Sequence, residues 1–425
     1  MAAEAQKGML VRSLGGVRVV VIANSLAIVF GILLGMYKSY FPDTFLEVLG
    51  VLAWLPVSLI KGFATPLLFF AVFTGLTADQ PLMGGIKRLF FICLINACFA
   101  ILIGMILVNV LLPGKYLTSI VSSFASDSAA SKLFSVKTTN WVDAIKSFIP
   151  DSVLAPFVSN NIPQVLVVAV LLGSAARLGG RDGDQWHRWF MKLRDGLETG
   201  FMIVSRVLSL ILIVMPIAIF SAVAKAVGDH GFSVFEGLSW YVGVCVFGML
   251  LHVVLVYQAW IVFRAKRSLV EFWRCARLPV IYSFGVNSSL SALPGTLDAL
   301  EKLRCSKTSA QLGACVGTNF NNDGILLYEV AAVLMLGQAF AMDWTVLEQL
   351  WFSLVCVLAT FGVSGFPEAG IVALSLALPA AGLPVELMPL LLPVDWLVAR
   401  CRSATNVLSD MTVSLAIDGP EPNRS

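Results

Sequence analysis

The chain has 425 residues, 58% of them hydrophobic and only 13% charged, with a mean hydropathy of +0.86 and a formal net charge of +3. Soluble domains are about 45–50% apolar and about 25% charged, and no soluble core of this size hides such a surplus. The composition excludes a soluble enzyme and a disordered chain, and the weak positive charge excludes a nucleic-acid binder; the solvent is a bilayer.

Charges bracket the spanning segments. Arg18 and Lys38, Arg88 and Lys115, Asp151 and Arg177, and Glu236 and Arg264 enclose uncharged runs. Each is close to or above the roughly 20 residues that a spanning helix needs. They are Leu/Val/Ile/Phe stretches without the alternation of barrel strands. Glu4 and Lys7, ahead of a run long enough to span, argue against a cleavable leader. Helices one to three are predicted over about 17–37, 45–77 and 86–113. The Ser-rich segment 115–150 then reads as an external loop. A fourth helix, about 150–177, is interrupted by Pro150, Pro156 and Pro163. A fifth covers about 196–226 with Pro216 inside, and a sixth about 235–263. Basic clusters at Lys87–Arg88, Arg177–Arg194, Arg264–Arg277 and Lys302–Lys307 alternate with acidic segments at 226–240 and 343–348. The positive-inside rule places the basic loops and both termini in the cytoplasm. The cysteines form no CxxC pair and read as structural thiols; the three histidines have no zinc spacing.

The last third departs from simple spans. Residues 278–297 are apolar but centred on Asn287-Ser288-Ser289, with basic residues at both ends. A segment that enters and leaves on one side is a re-entrant hairpin. Residues 349–385 repeat the pattern around Ser364–Gly370, with acidic flanks. Irregular backbone at membrane depth survives only inside protein or beside a water-filled cavity. Two hairpins from opposite sides imply inverted repeats around a central site; ordinary helix pairs with polar turns are the alternative.

Between the hairpins, Gly317-Thr318-Asn319-Phe320-Asn321-Asn322-Asp323-Gly324 interrupts an apolar segment. Asn and Asp oxygens with freed carbonyls suit a hard cation, and buried acids in a membrane mark function. A loop turn in water is the alternative, against which the apolar run resumes at Leu326. The final span, about 388–416, carries Asp395, Arg402, Asn406 and Asp410 at separations of seven, four and four, all on one helical face. Arg402 offers a planar fork for a carboxylate. Asn406 and Asp410 are placed to meet Asn321 and Asp323 as a cation cage, a candidate Na+ site formed by those four; a structural ion-pair ladder is the alternative. Arg400 points off the stripe. Glu329 sits in an apolar wall, where a neutral carboxyl is cheapest, and is a candidate proton carrier or a plain hydrogen-bonded acid. Glu368 is a gate residue or solvent-facing.

The residues together resemble the dicarboxylate/amino acid:cation symporters, the glutamate transporter homologues, over about residues 12–417. The markers are Leu59-Ile60-Lys61 with Thr65-Pro66-Leu67, Ser288-Ser289 with Leu293-Pro294, Asn321–Gly324, Gly365-Phe366-Pro367-Glu368-Ala369-Gly370, and Asp395 through Asp410. The resemblance implies an all-α polytopic membrane protein of eight transmembrane helices and two re-entrant hairpins, assembled as a homotrimer. A scaffold would comprise helices one and two (1–85) and helices four and five (150–230). An elevator-type transport domain would comprise helix three (86–113) and residues 231–425, with 114–149 as external loop. Carried over by position, Arg402 binds the distal carboxylate, and Asn406 is shared between substrate and cation. Ser288 and Ser289 hold the other carboxylate. Gly365, Pro367, Ala369 and Gly370 form the outer gate, and Ile325, Ala399 and Ser403 line the substrate. Gly317, Asn319, Asn321, Asp323 and Asp410 join Asn406 as cation ligands, and Glu329 matches a proton-coupling position.

Departures refine this. Amino acid carriers have an Asp at the position of Ala399 for the substrate ammonium; its absence favours a dianion without an amine. Asn322 replaces a Met, Ile325 and Asn319 replace threonines, and Ile95-Asn96 stand where helix three brings hydroxyls to a sodium. The reading is a cation-coupled symporter for an anionic carboxylate, in first place a C4-dicarboxylate, coupled to Na+ or H+. It would sit in a bacterial inner membrane, surrounded by lipid, with no cofactor. An acidic amino acid symporter with an atypical amine site and an uncoupled anion channel remain as alternatives. No Ser/His/Asp or His/Cys set supports an enzyme.

Overall fold

The computed structural model describes residues 22–77, 83–118, 121, 149–179, 184–360 and 369–420. The regular structure among them is entirely helical. The long elements are α1 (Ile22–Met36), α2 (Asp43–Thr77), α3 (Met83–Leu111), α4 (Ile162–Gly179), α5 (Asp184–Ile213), α6 (Met215–His230) and α7 (Ser233–His252). They continue as α8 (Leu269–Val286), α9 (Ser289–Lys302), α10 (Asp323–Ala339), α11 (Val346–Thr360), α12 (Ala369–Ala380) and α13 (Met388–Asp418). Among the described residues, Glu47–Thr74, Gly85–Leu111 and Val234–Arg264 are long and apolar enough to cross a membrane. The predicted external loop lies almost wholly outside the described residues.

Local chemistry sets the breaks. The fourth predicted helix is two pieces: Ala155–Ser159 ends at Asn160, which takes a left-handed φ of 51°, and α4 follows. Asn tolerates that region better than most residues. The fifth is also two pieces. Pro216 lies in the first turn of α6, where its missing N–H costs nothing, so α5 ends at Ile213. α5 begins at Asp184, well before the predicted start, because its first turns are amphipathic and carry Trp186 and Trp189 among charges. The sixth runs as predicted from α7 to Arg264, but through two π-helical turns, Val253–Tyr257 and Trp260–Arg264.

The first hairpin is α8 and α9, packed against each other. Its tip is two caps back to back. Asn287 closes α8 at φ 54°, and Ser288 opens α9 by accepting the Ser291 N–H at 3.2 Å. The second pairs α11 with α12; its predicted tip residues Gly365, Phe366, Pro367 and Glu368 lie outside the described residues. The segment before α10 is helical from Lys307, passes through a π turn (Gln311–Val316) and a 3-10 turn (Gly317–Asn319), and unwinds at Phe320–Asn322.

Packing sorts the helices. α2 lies along α4, α5 and α6. α1 crosses α6 where Gly31 and Gly35 bring its backbone against Val223 and Val227. α3, α7, α10 and α13 pack together, α8 and α9 lean on α13, and α11 and α12 on α10. The two sets meet where α12 touches α2, α13 and α7 touch α6, and α11 touches α4. α10 is buried on every side, as are most of α12 and α13. Outer positions carry large exposed apolar side chains such as Phe90 and Phe263. Such a surface suits lipid and not water.

Candidate functional site

The spacing on α13 predicts an inward stripe. Asp395, Arg402, Asn406 and Asp410 are all buried, none more than 3% exposed. Within this stripe Arg402 donates from Nη1 to Asp395 Oδ1 at 2.8 Å and more weakly from Nη2 to Oδ2 at 3.5 Å. Its guanidinium carbon lies 4.0 Å from the centre of the Tyr328 ring, one side of a cation–π contact. Gly370, in the first turn of α12, packs its Cα against the guanidinium; a Cβ there would strike Nη1 and Cζ. Arg400 turns away: it stacks over Trp396 at 4.3 Å and donates to the Trp396 carbonyl.

Arg402 forms one wall of a polar cleft between the hairpins. α13 contributes Ala399, Arg402, Ser403 and Asn406; the first tip contributes Asn287, Ser288 and Ser289. α10 and the turn before it contribute Asn322 and Ile325, and α12 contributes Ala369 and Gly370. Every predicted substrate-lining residue within the described part is therefore in one cleft. Gly365 and Pro367 lie outside the described residues. Asn287 and Asn322 were not predicted to line it. Ser403 Oγ donates to Asn287 Oδ1 at 3.0 Å, tying the hairpin tip to α13. Asn406 holds the start of α10: its Oδ1 accepts the Gly324 N–H at 3.0 Å, and its Nδ2 donates to Asn322 Oδ1 at 3.4 Å. Gly324 is needed there, because a Cβ would meet the Arg402 backbone at 2.8 Å.

The predicted cation ligands separate into two groups. Asp410 is 3% exposed, and its Oδ1 has no hydrogen-bond partner among the described residues. Thr318 bonds to the Asp410 side chain. An orphaned buried carboxylate oxygen is costly and fits a cation or proton as its missing partner. The Gly317 carbonyl, predicted to be a ligand, accepts the N–H groups of Phe320 and Asn321 at 2.8 and 2.9 Å. The Asn319 side chain lies outside the described residues.

The second group is Asn321 and Asp323, 1% and 3% exposed. Asp323 Oδ2 accepts from the Tyr257 hydroxyl at 2.8 Å and the Ser409 hydroxyl at 2.6 Å, and His252 Nε2 lies 3.4 Å away. Asn321 donates from Nδ2 to Ser409 Oγ, and its Oδ1 accepts from Asn96 Nδ2 at 3.2 Å. None of the three groups around Asp323 was predicted. For His252 a signal existed: it is a polar side chain in the middle of an uncharged spanning run. Tyr257 and Ser409 gave no such signal, because single hydroxyls in spans are common. Glu329, fully buried on α10, has no hydrogen-bond partner for either carboxyl oxygen among the described residues. No group of three or more His, Cys, Asp or Glu residues able to hold a metal ion occurs among the described residues.

Residues 21–419 match the sodium:dicarboxylate symporter family. The C4-dicarboxylate transport protein of Xanthomonas campestris pv. campestris (strain B100) is 29% identical over 398 residues, covering 92% of this chain and 86% of that protein. The C4-dicarboxylate transport protein of Bordetella avium (strain 197N) gives the same identity and coverage. That of Xylella fastidiosa (strain 9a5c) is 28% identical over 366 residues, covering 85% of this chain and 80% of its own length.

Proposed function

Because the chain belongs to the sodium:dicarboxylate symporter family, we propose that it carries a C4-dicarboxylate across a bacterial plasma membrane together with a coupling cation. It is an integral membrane transporter and not an enzyme. The observation that carries the substrate reading is the Arg402 guanidinium, backed by Asp395 and Tyr328, in a polar cleft lined by the first hairpin tip and the start of α12. A guanidinium grips one carboxylate of the substrate through paired N–H groups. Ser288, Ser289 and the buried start of α9 face the other. Ala399 lines the cleft without an acid, so an ammonium would be buried unpaired.

Charge explains the coupling. The Arg402 charge is matched by Asp395, while Asp323 and Asp410 are also buried. A dianion entering this region meets a surplus of negative charge in a low dielectric. Asp410, beside Thr318 and one turn beyond Asn406, holds the coupling cation, whose chemical contribution is positive charge near the substrate. Sodium and a proton both satisfy that requirement. Affinity for substrate then depends on prior binding at Asp410, which is a coupling free energy between two sites.

Transport follows an elevator motion in a homotrimer. The moving part is α3 with residues 231–425, and the static part is α1, α2 and α4–α6 with the rest of 1–85 and 150–230. The packing of helices into two sets that meet along α2, α4 and α6 supports this division. Inverted repeats and eight crossing helices belong to the same reading.

The test is uptake of labelled succinate and labelled aspartate into proteoliposomes, with a sodium gradient or a pH gradient imposed separately. Succinate accumulating above equilibrium is the expected result, and the effective gradient names the cation. Aspartate uptake would mean that another group holds the amine. Flux without accumulation would make the protein an uncoupled channel.

A further inference from the structure

α7 carries an unexplained polar group into the membrane. His252 is 1% exposed and lies in a run with no charged residue between Glu236 and Arg264. The π turn Val253–Tyr257 begins directly after it. Bonding from i to i+5 brings residues five apart onto one face. His252 and Tyr257 accordingly meet edge to face, ring centres 4.9 Å apart. Tyr257 donates to Asp323 Oδ2, which also takes the Ser409 hydroxyl, while His252 Nε2 lies 3.4 Å from that oxygen without a hydrogen bond among the described residues.

The neighbouring oxygen is filled in the same manner. Asn96 donates to Asn321 Oδ1, and the Asn96 amide is itself oriented because its Oδ1 accepts the Trp260 indole N–H at 2.8 Å. Trp260 opens the second π turn. A single network thus runs from Trp260 through Asn96, Asn321 and Ser409 to Asp323, and closes through Tyr257 on the π turn that follows α7.

A hard cation needs several oxygen lone pairs converging on one point. Here the Oδ2 of Asp323 and the Oδ1 of Asn321 face O–H and N–H hydrogens instead. A cation placed among them would meet the positive ends of those dipoles and would leave the donors unpaired inside the protein. We infer that Asn321 and Asp323 do not ligate the coupling cation in this carrier. Donors from α3, the π turn after α7 and α13 stand in the ion's place, and Asp410 supplies the buried acid for the coupling cation. The inference rests on the symporter reading and sharpens it: the carrier couples to fewer cations than its buried carboxylates suggest. The network also has a structural consequence, since it fastens the π turn after α7 to the unwound segment and to α13 whatever the ion content.

The experiment is thermal unfolding of the purified full-length protein in detergent, with sodium chloride replacing choline chloride at constant ionic strength. Sodium is expected to raise the wild-type midpoint, by mass action on the folded state. Asp410→Asn should lose that response. Asp323→Asn should keep its half-maximal sodium concentration within about twofold of wild type. Tyr257→Phe and Asn96→Ala should also stay within about twofold, because permanent donors do not compete with an ion. Two results overturn the inference. One is loss of the sodium response in Asp323→Asn that still elutes as a single symmetric peak. The other is roughly tenfold tighter sodium binding in Tyr257→Phe or Asn96→Ala, the signature of a donor displaced from an ion site. If Asp323→Asn does not fold, those last two variants decide. A wild-type protein indifferent to sodium removes sodium from the coupling reading above and agrees with the inference. Failure of succinate uptake under both gradients sinks the proposed function by itself, while the sodium titrations still decide this point.

Discussion

At the scale of single residues, the guanidinium of Arg402 is constrained on three sides. It is held by Asp395, stacked on Tyr328 and pressed by Gly370. Arg402→Ala removes the substrate's charged partner and leaves Asp395 buried without its ion-pair partner. Succinate uptake should fall to background while light scattering still reports the wild-type mass; uptake within a fewfold of wild type would remove Arg402 from the clamp. Ala399→Asp supplies an acid within the same cleft, one turn before Arg402. Labelled aspartate should then be taken up or should compete with succinate, and no gain would leave the amine argument without support. Arg402, Asn406 and the serines of the first tip were legible as polar residues in apolar spans, whereas Ile325, Ala369, Gly370, Ala399 and Ser403 were legible only through the family resemblance. Asn287 and Asn322 were harder to read as lining residues. Their place in the cleft depends on Ser403 and Asn406, which come more than eighty residues later.

At the scale of elements, backbone approach decides stability as much as side-chain burial. The π turn Gln311–Val316 packs so closely on α13 that a Cβ on Gly313 would meet the Ser414 backbone, with Cα at 2.6 Å. Backbone cannot step aside as a flexible side chain can. Gly313→Ala should therefore lower stability by about 1–3 kcal/mol, the usual cost of overpacking, read as a drop in the thermal midpoint with the mass unchanged. A midpoint equal to wild type would mean that the two elements separate easily. Helix positions were predictable where hydropathy changed sharply, as at both ends of α7. The splits at Asn160 and Val214 were signalled by their prolines. The π turns were not, because Val-Val-Leu-Val-Tyr reads the same in either helix. Their cause is tertiary: they bring His252, Tyr257 and Trp260 to partners on other helices.

For the whole molecule, the elevator reading demands relative sliding of the two helix sets. A crevice between them is walled by Ala226 of α6 on one side and Leu390 at the start of α13 on the other. Cysteines at these two positions, in a background without the eight native cysteines, should cross-link with a short bifunctional reagent. Cross-linking should stop succinate uptake, reversibly on reduction of a cleavable linker, and leave the sodium-induced thermal shift in place. Full uptake by the cross-linked protein would sink the sliding motion. The same preparation should have the mass of three chains, and a monomer would overturn the trimer.

Hydropathy and periodicity are local, one-dimensional properties. They were sufficient to establish a bilayer solvent, an all-helical fold, the polar breaks at Asn287 and Phe320–Asn322, and the stripe of Asp395, Arg402, Asn406 and Asp410. Each of those follows from the cost of polar groups in hydrocarbon and the geometry of a single helix. What meets the stripe follows from neither. Tyr257 and Asp323 are 66 residues apart, and Asn96 and Asn321 are 225 apart. Only the packed structure determines that Asp323 Oδ2 meets two hydroxyl donors while Asp410 Oδ1 meets none among the described residues, because that difference depends on which helices become neighbours.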